Sequence, residues 1–71
     1  MITAVTRFGK TNLREMRIER QLSQWKLRIM SDVSVATISS IEVNGLYPTP
    51  PVRAKLAAAL GVSETDIWPE L

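Results

Sequence analysis

Two serines in the first half of the chain, Ser23 and Ser34, constrain its fold more than any other feature. A serine oxygen can accept from the orphan amides at a helix start, which makes both good N-caps. Each precedes a run with apolar residues at helical spacing, Leu27 after the first, Ile38 and Ile41 after the second. Between the runs lies Ser31-Asp32-Val33, where the first helix is expected to break. Aspartate is one of the few non-glycine residues that accept a left-handed backbone. The spacing therefore predicts a helix from Ser23 to about Met30, a three-residue turn, and a helix from Ser34 to Asn44-Gly45. Those last two residues tolerate a positive φ and so end a helix readily.

A turn this short forces its two helices to cross at a large angle. One can then lie across a phosphate backbone while the next enters the major groove of a duplex, the geometry of a helix-turn-helix. The pattern fits that arrangement. Leu27, Val33, Ile38 and Ile41 point into the angle between the helices. Val35, Ala36, Thr37, Ser39, Ser40 and Val43 are left on the outer face of the second.

The flanks read as further helices. Asn12 with Glu15 three residues on resembles a capping box, and Leu13, Met16 and Leu22 follow it, so a helix is expected over about Asn12 to Arg20. Phe8 could join its first turn. Ile2 to Phe8 alternate weakly, as an arm or a short strand would. Thr49-Pro50 is a hydroxyl cap followed by proline at the first helical position. Val52, Leu56, Ala57 and Leu60 share one face of the helix it starts, and Gly61 stops it. Ser63 with Asp66 opens a last short helix closed by Trp68-Pro69. Trp68 belongs to the core, at the end of an apolar face with Val62 and Ile67. The expectation is an all-α, compact bundle of about five short helices with no obvious sheet. Residues 1–11 form an N-terminal arm or short strand, and residues 12–71 form the domain proper.

Composition narrows the chemistry. Seventy-one residues make one small domain, and the chain has no cysteine and no histidine. Disulfides, thiolate nucleophiles and the usual zinc ligands are thereby excluded. No cofactor, metal or small-molecule substrate is expected. The carboxylates Glu15, Glu19, Glu42, Glu64, Asp66 and Glu70 fall at caps and on helix faces, and no glycine-rich phosphate loop is present, so no enzyme is expected either. No apolar run is long enough to span a membrane. Met1 to Lys10 lacks the apolar stretch of a signal peptide, and a cysteine-free chain suits the cytoplasm. Charge is unevenly placed. Residues 1–30 hold seven Lys and Arg against two Glu, and residues 31–71 hold two against five acidic residues. A basic first half is the footprint of a phosphate binder, though a solvated helix face would look the same.

The run Leu22-Ser23-Gln24, Leu27, Val33-Ser34, Thr37-Ile38-Ser39, Ile41-Glu42, Asn44-Gly45 and Pro48 closely resembles the lambda-repressor-like (Xre) helix-turn-helix family. So do Leu13-Arg14-Glu15-Met16-Arg17, Leu56-Ala57 and Ala59-Leu60-Gly61-Val62. The resemblance spans about residues 12 to 68. It implies a bundle of about five helices that binds operator DNA, commonly as a dimer. It assigns Gln24 to a backbone phosphate. Ser34, Val35, Ala36, Thr37, Ser39 and Ser40 fall at or beside the recognition helix, and Asn44 falls at the loop end nearest the backbone. Arg17 and Glu42 match a salt bridge joining the first helix to the end of the third. Three positions depart from the pattern. Arg28 stands where alanine is usual, its stem able to snorkel outward to a phosphate or a carboxylate. Asp32 replaces the turn glycine at some strain cost. The Val43-Asn44-Gly45 ending is one residue longer than is common.

Two aromatic residues have two readings each. Trp25 either flanks a phosphate through its indole N–H or covers part of the core. Tyr47 either donates to a phosphate or packs its loop. Arg7 and Lys10 either reach a groove or remain a loose arm. Between Ser34 and Val43 there is no Arg, Lys, Asn or Gln to pair with a base edge, so sequence choice should lean on thymine methyls, DNA shape and flanking groups. The function expected is a sequence-specific regulator of transcription, a repressor acting as a homodimer on a pseudo-palindromic operator. Its partner surface would lie around Ala58, Ala59, Ile67, Trp68 and Leu71. The competing function is a protein-interaction module or antitoxin-like partner binder on the same scaffold.

Overall fold

The computed structural model describes residues 7–71. Two short strands and five helices follow one another: β1 (Arg7–Phe8), α1 (Leu13–Glu19), α2 (Gln24–Ser31), α3 (Val35–Asn44), β2 (Leu46–Tyr47), α4 (Pro50–Leu60) and α5 (Glu64–Ile67). The protein is mostly helical, as the spacing implies. One core holds it together, made of Leu13, Leu27, Val33, Ile38, Ile41, Tyr47, Leu56, Ala57, Leu60, Ile67 and Trp68. Every helix contributes to that core, and α2 packs against both α3 and α4.

The caps show how local chemistry sets the helix ends. Ser23 Oγ accepts from Lys26 N at 2.9 Å, and Ser34 Oγ accepts from Thr37 N at 3.2 Å. Helix α2 runs one residue further than its pattern suggests, because Ser31 is buried and donates back to the Leu27 carbonyl at 2.7 Å. The same oxygen receives the Val33 N–H at 3.3 Å, so the turn proper is Asp32-Val33-Ser34. Asp32 closes α2 in the left-handed region, at φ 59°.

Two expected caps take other forms. Asn12 makes no cap bond; its amide donates to the Asp66 carbonyl at 3.0 Å, tying the start of α1 to α5. Thr49 precedes Pro50 and Pro51, which carry no N–H, so the start of α4 has few donors left to cap. At α5, Ser63 N donates to Asp66 Oδ2 at 3.0 Å, the return half of a capping box.

Of the arm and the short strand left open for the first residues, Arg7–Phe8 take the strand. Arg7 pairs with Tyr47 and Phe8 with Leu46 in a minimal antiparallel ribbon. Phe8 lies in β1, more than half exposed, rather than in the first turn of α1. Of the alternating stretch Ile2 to Phe8, Ile2 to Thr6 lie outside the described residues.

The strained turn permits a simple test. Asp32 is exposed, and its 3.9 Å ion pair with Lys55 is a surface pair of negligible worth. Asp32→Gly removes the left-handed penalty at the cost of a floppier unfolded chain, for a net gain of about 0.5 kcal/mol. In a domain of this size the melting midpoint should rise by about 2–4 °C. A fall in the midpoint by calorimetry would show that the aspartate side chain contributes more than its strain costs.

Candidate nucleic-acid interface

Helix α3 has a buried face and an outward face. Ile38 and Ile41 are fully buried, anchoring it against the core. Opposite them lie Ala36, Ser40 and Val43 at helical spacing. Ala36 is exposed, Val35, Thr37, Ser39 and Ser40 are half-buried, and Val43 is 77% exposed, the most exposed large apolar side chain among the described residues. Ser34 sits at the N-cap with its hydroxyl turned inward, donating to Thr37 Oγ1 at 3.0 Å. Asn44 is exposed in the last turn, just before Gly45 closes the helix at φ 73°.

One polar network fixes α3 against α1 and α2. Arg17 Nε meets Glu42 Oε2 at 2.7 Å, and Arg17 Nη2 meets Glu42 Oε1 at 3.0 Å. Their side chains are only 13% and 2% exposed. The third guanidinium nitrogen donates to the Leu22 carbonyl at 2.7 Å, in the loop between α1 and α2. The hydrogen bonds to Glu42 raise the Arg17 pKa above its ordinary value, against the opposing effect of burial. Gln24 joins the same carboxylate, its Nε2 lying 3.1 Å from Glu42 Oε1. Its amide is thereby oriented before any ligand arrives. Arg14, Arg17, Gln24, Glu42 and Val43 line a shallow depression where the three helices meet.

On the outer side of α2, Trp25 is 62% exposed and covers no core. The Arg28 guanidinium lies over its ring, 5.2 Å from the centroid. Arg28 thus points outward, as its snorkelling stem suggests, and Lys26 beside it is exposed. Ile29 continues this face, four residues on from Trp25 and 60% exposed.

Other basic groups are occupied within the fold. Arg7 donates to the Glu70 carbonyl at 2.6 Å and lies 4.8 Å from the Tyr47 ring centroid. Arg20 donates to the carbonyls of Leu60 and Met16, and Arg53 to Glu64 and the Pro48 carbonyl. The first half's basic surplus therefore contracts to Lys10, Arg14, Lys26 and Arg28 on the surface.

Tyr47 takes the packing position of its two readings. It is buried, its ring meets Trp68 edge-on, and its hydroxyl donates to the Lys10 carbonyl at 2.8 Å. With that hydrogen used, it has no donor to offer a phosphate. Trp68 is fully buried, and so is Ile67, which removes both from any partner surface. The indole N–H of Trp68 has no acceptor among the described residues.

The sequence reading gave Arg14 no part in the site and left Val43 on the outer face of α3 without a role there. Both were legible from helical spacing: Arg14 is one turn before Arg17, and Val43 is two turns after Ala36.

A bundle in which a capped helix, a tight left-handed turn and an outward-facing second helix rest on a three-residue polar lock is a helix-turn-helix domain. The helix-turn-helix family model matches residues 13–67, most of the chain. The protein belongs to the lambda-repressor-like, Xre-type branch of that family and is a DNA-binding helix-turn-helix regulator. The family is generally non-enzymatic. No curated protein matches the chain at a significant level. Among the described residues, no helix is long and apolar enough to cross a membrane.

Proposed function

We propose that this chain is a cytoplasmic, sequence-specific repressor of transcription that binds a pseudo-palindromic operator as a homodimer. The observation that carries this reading is the placement of α3. The Arg17–Glu42–Gln24 lock holds it rigidly with its outer face in solvent, between α1 and α2, which carry the exposed Arg14, Lys26 and Arg28. Residues 12–71 act as the DNA-binding domain, with 1–11 as an N-terminal segment. Gln24, Trp25, Arg28 and Asn44 meet the backbone, and Val35, Ala36, Thr37, Ser39 and Ser40 meet the major groove. Ser34 starts the helix that presents them. Two copies of α3 then lie roughly 34 Å apart, one turn of DNA. Ala58, Ala59 and Leu71 remain available for the dimer contact.

The test is selection of bound duplexes from a random pool, followed by a salt titration of the selected site. A symmetric consensus is expected. With four to six phosphate contacts per bound unit, the log–log salt slope should be about −4 to −5. Absence of binding to any duplex at low salt would overturn the reading. A second reading, a partner-binding module or antitoxin-like protein, is favoured by one observation: the outward face of α3 carries no charged side chain. Recovery of a protein partner whose binding is lost on substituting Val43 would support it.

A further inference from the structure

Base recognition normally relies on long polar side chains, with arginine on guanine and asparagine or glutamine on adenine. Before Asn44 in its last turn, helix α3 offers none of these on its outer face. Its one long polar side chain before Asn44 is Glu42, which is 2% exposed and held by Arg17 and Gln24. Gln24 in turn has its amide nitrogen on that carboxylate. What α3 presents instead is a ridge of Ala36, Ser40 and Val43, with Val35 and the Thr37 methyl beside it. The ridge is uncharged, with Ser40 its one polar member, yet flanked by helices bearing Arg14, Lys26 and Arg28, charges that suit a polyanion rather than an apolar protein face. A duplex displays one apolar group in its major groove, the methyl on C5 of thymine.

We propose that α3 selects its sites by the 5-methyl groups of pyrimidines, so that thymine and 5-methylcytosine are accepted at the contacted positions while uracil and cytosine are rejected. This rests on the DNA-binding reading above and names what that surface reads. The hydroxyls of Ser39 and Ser40 bond bases or phosphates indiscriminately and add little choice. Val43, at the outer end of the ridge, makes the largest apolar contact.

The test uses the duplex recovered by selection, with binding followed by fluorescence anisotropy. Replacing each thymine by deoxyuridine keeps every hydrogen-bonding group and removes one methyl. Burial of a methyl-sized group is worth a factor of about four in affinity, and about fifteen when both half-sites are changed. That loss is expected at one or two positions per half-site. Changing such a T·A pair to C·G should weaken binding further, and 5-methylcytosine in place of that cytosine should restore most of the difference. In Val43→Ser the deoxyuridine penalty should shrink at one position while the salt slope stays unchanged, because the phosphate contacts are untouched. Val43 lies largely in solvent, so this variant should fold.

Three results would overturn the proposal. One is affinity within about 1.5-fold at every deoxyuridine position on a duplex still preferred over a scrambled one. Another is an equal loss on the scrambled duplex, which would mark an effect of DNA shape. The third is dominance of a single G·C pair. If no duplex binds at all, the DNA-binding reading falls first, and the methyl reading with it.

Discussion

Gly45→Ala is expected to lower the stability of this domain by about 3 kcal/mol, the larger of two steep losses. Gly45 sits at φ 73°, where a side chain costs about 1–2 kcal/mol. A Cβ there would also lie 2.5 Å from the Gly9 carbonyl oxygen, a distance that backbone cannot tolerate. The two segments would have to part, breaking the Gly9 N–H bond to the Gly45 carbonyl at 2.9 Å and loosening the β1–β2 pairing. Each lost backbone bond adds about 1 kcal/mol. Gly61 supplies the control. Its φ is 70°, but nothing lies within 4 Å of a Cβ built on it. Gly61→Ala should therefore cost the left-handed penalty alone. Urea titrations of both variants measure the difference, and equal losses would show that the close approach of Gly9 to Gly45 does not persist in solution. A domain of this length has roughly 4–10 kcal/mol in total, so Gly45→Ala should melt more than 10 °C lower.

The second large loss is expected for Glu42→Ala, at about 2–3 kcal/mol. Removing the carboxylate strands the Arg17 guanidinium, 13% exposed, and leaves the Gln24 amide without its partner. Breaking a buried pair from one side costs more than the pair itself contributes, because a desolvated charge is left behind. Arg17 can still reach some solvent and keeps its bond to the Leu22 carbonyl, which places the loss near the low end for such changes. The double variant Arg17→Met with Glu42→Leu should regain most of the stability, since neither charge is then buried. It should bind operator poorly nonetheless, because nothing orients Gln24 and the end of α3. A double variant as unstable as Glu42→Ala would mean that the pair stabilises the fold directly. If it bound DNA at full strength, the lock would have no part in placing α3.

Sequence reading reached far into this fold because most of its decisive signals are local. Ser23, Ser34, Asp32, Gly45 and Gly61 act on backbone within three or four residues, and all five occupy the roles that their chemistry suggests. The apolar spacing of Leu27, Ile38 and Ile41 likewise places α2 and α3 without further information. The outward stacking of Arg28 on Trp25 is also a one-turn contact, yet the sequence left Trp25 between core and surface. Exposure depends on where the neighbouring helices end, and spacing says nothing of that.

Several features that the sequence left open or misplaced depend on contacts across the chain. Asn12 looked like a cap, but the Asp66 carbonyl, 54 positions away in sequence, takes its amide. Arg7 and Lys10 could, by sequence, either reach a groove or remain a loose arm. Glu70 secures both, accepting from the Arg7 guanidinium at its carbonyl and from Lys10 N at its carboxylate, 3.1 Å away. Tyr47 had two readings, a phosphate donor or a loop packing residue, and its hydroxyl on the Lys10 carbonyl decides for packing. A side chain with a donor and several possible acceptors carries no mark of which one it will meet.

By itself, then, the sequence determined the helices, the Ser23 and Ser34 caps and the tight left-handed turn that makes this a helix-turn-helix protein, because those depend on backbone chemistry within one helical turn. The tertiary structure alone decided which charges face solvent, that β1 closes against β2, and that Gln24 is held on Glu42, because each depends on segments brought together only when the common core forms.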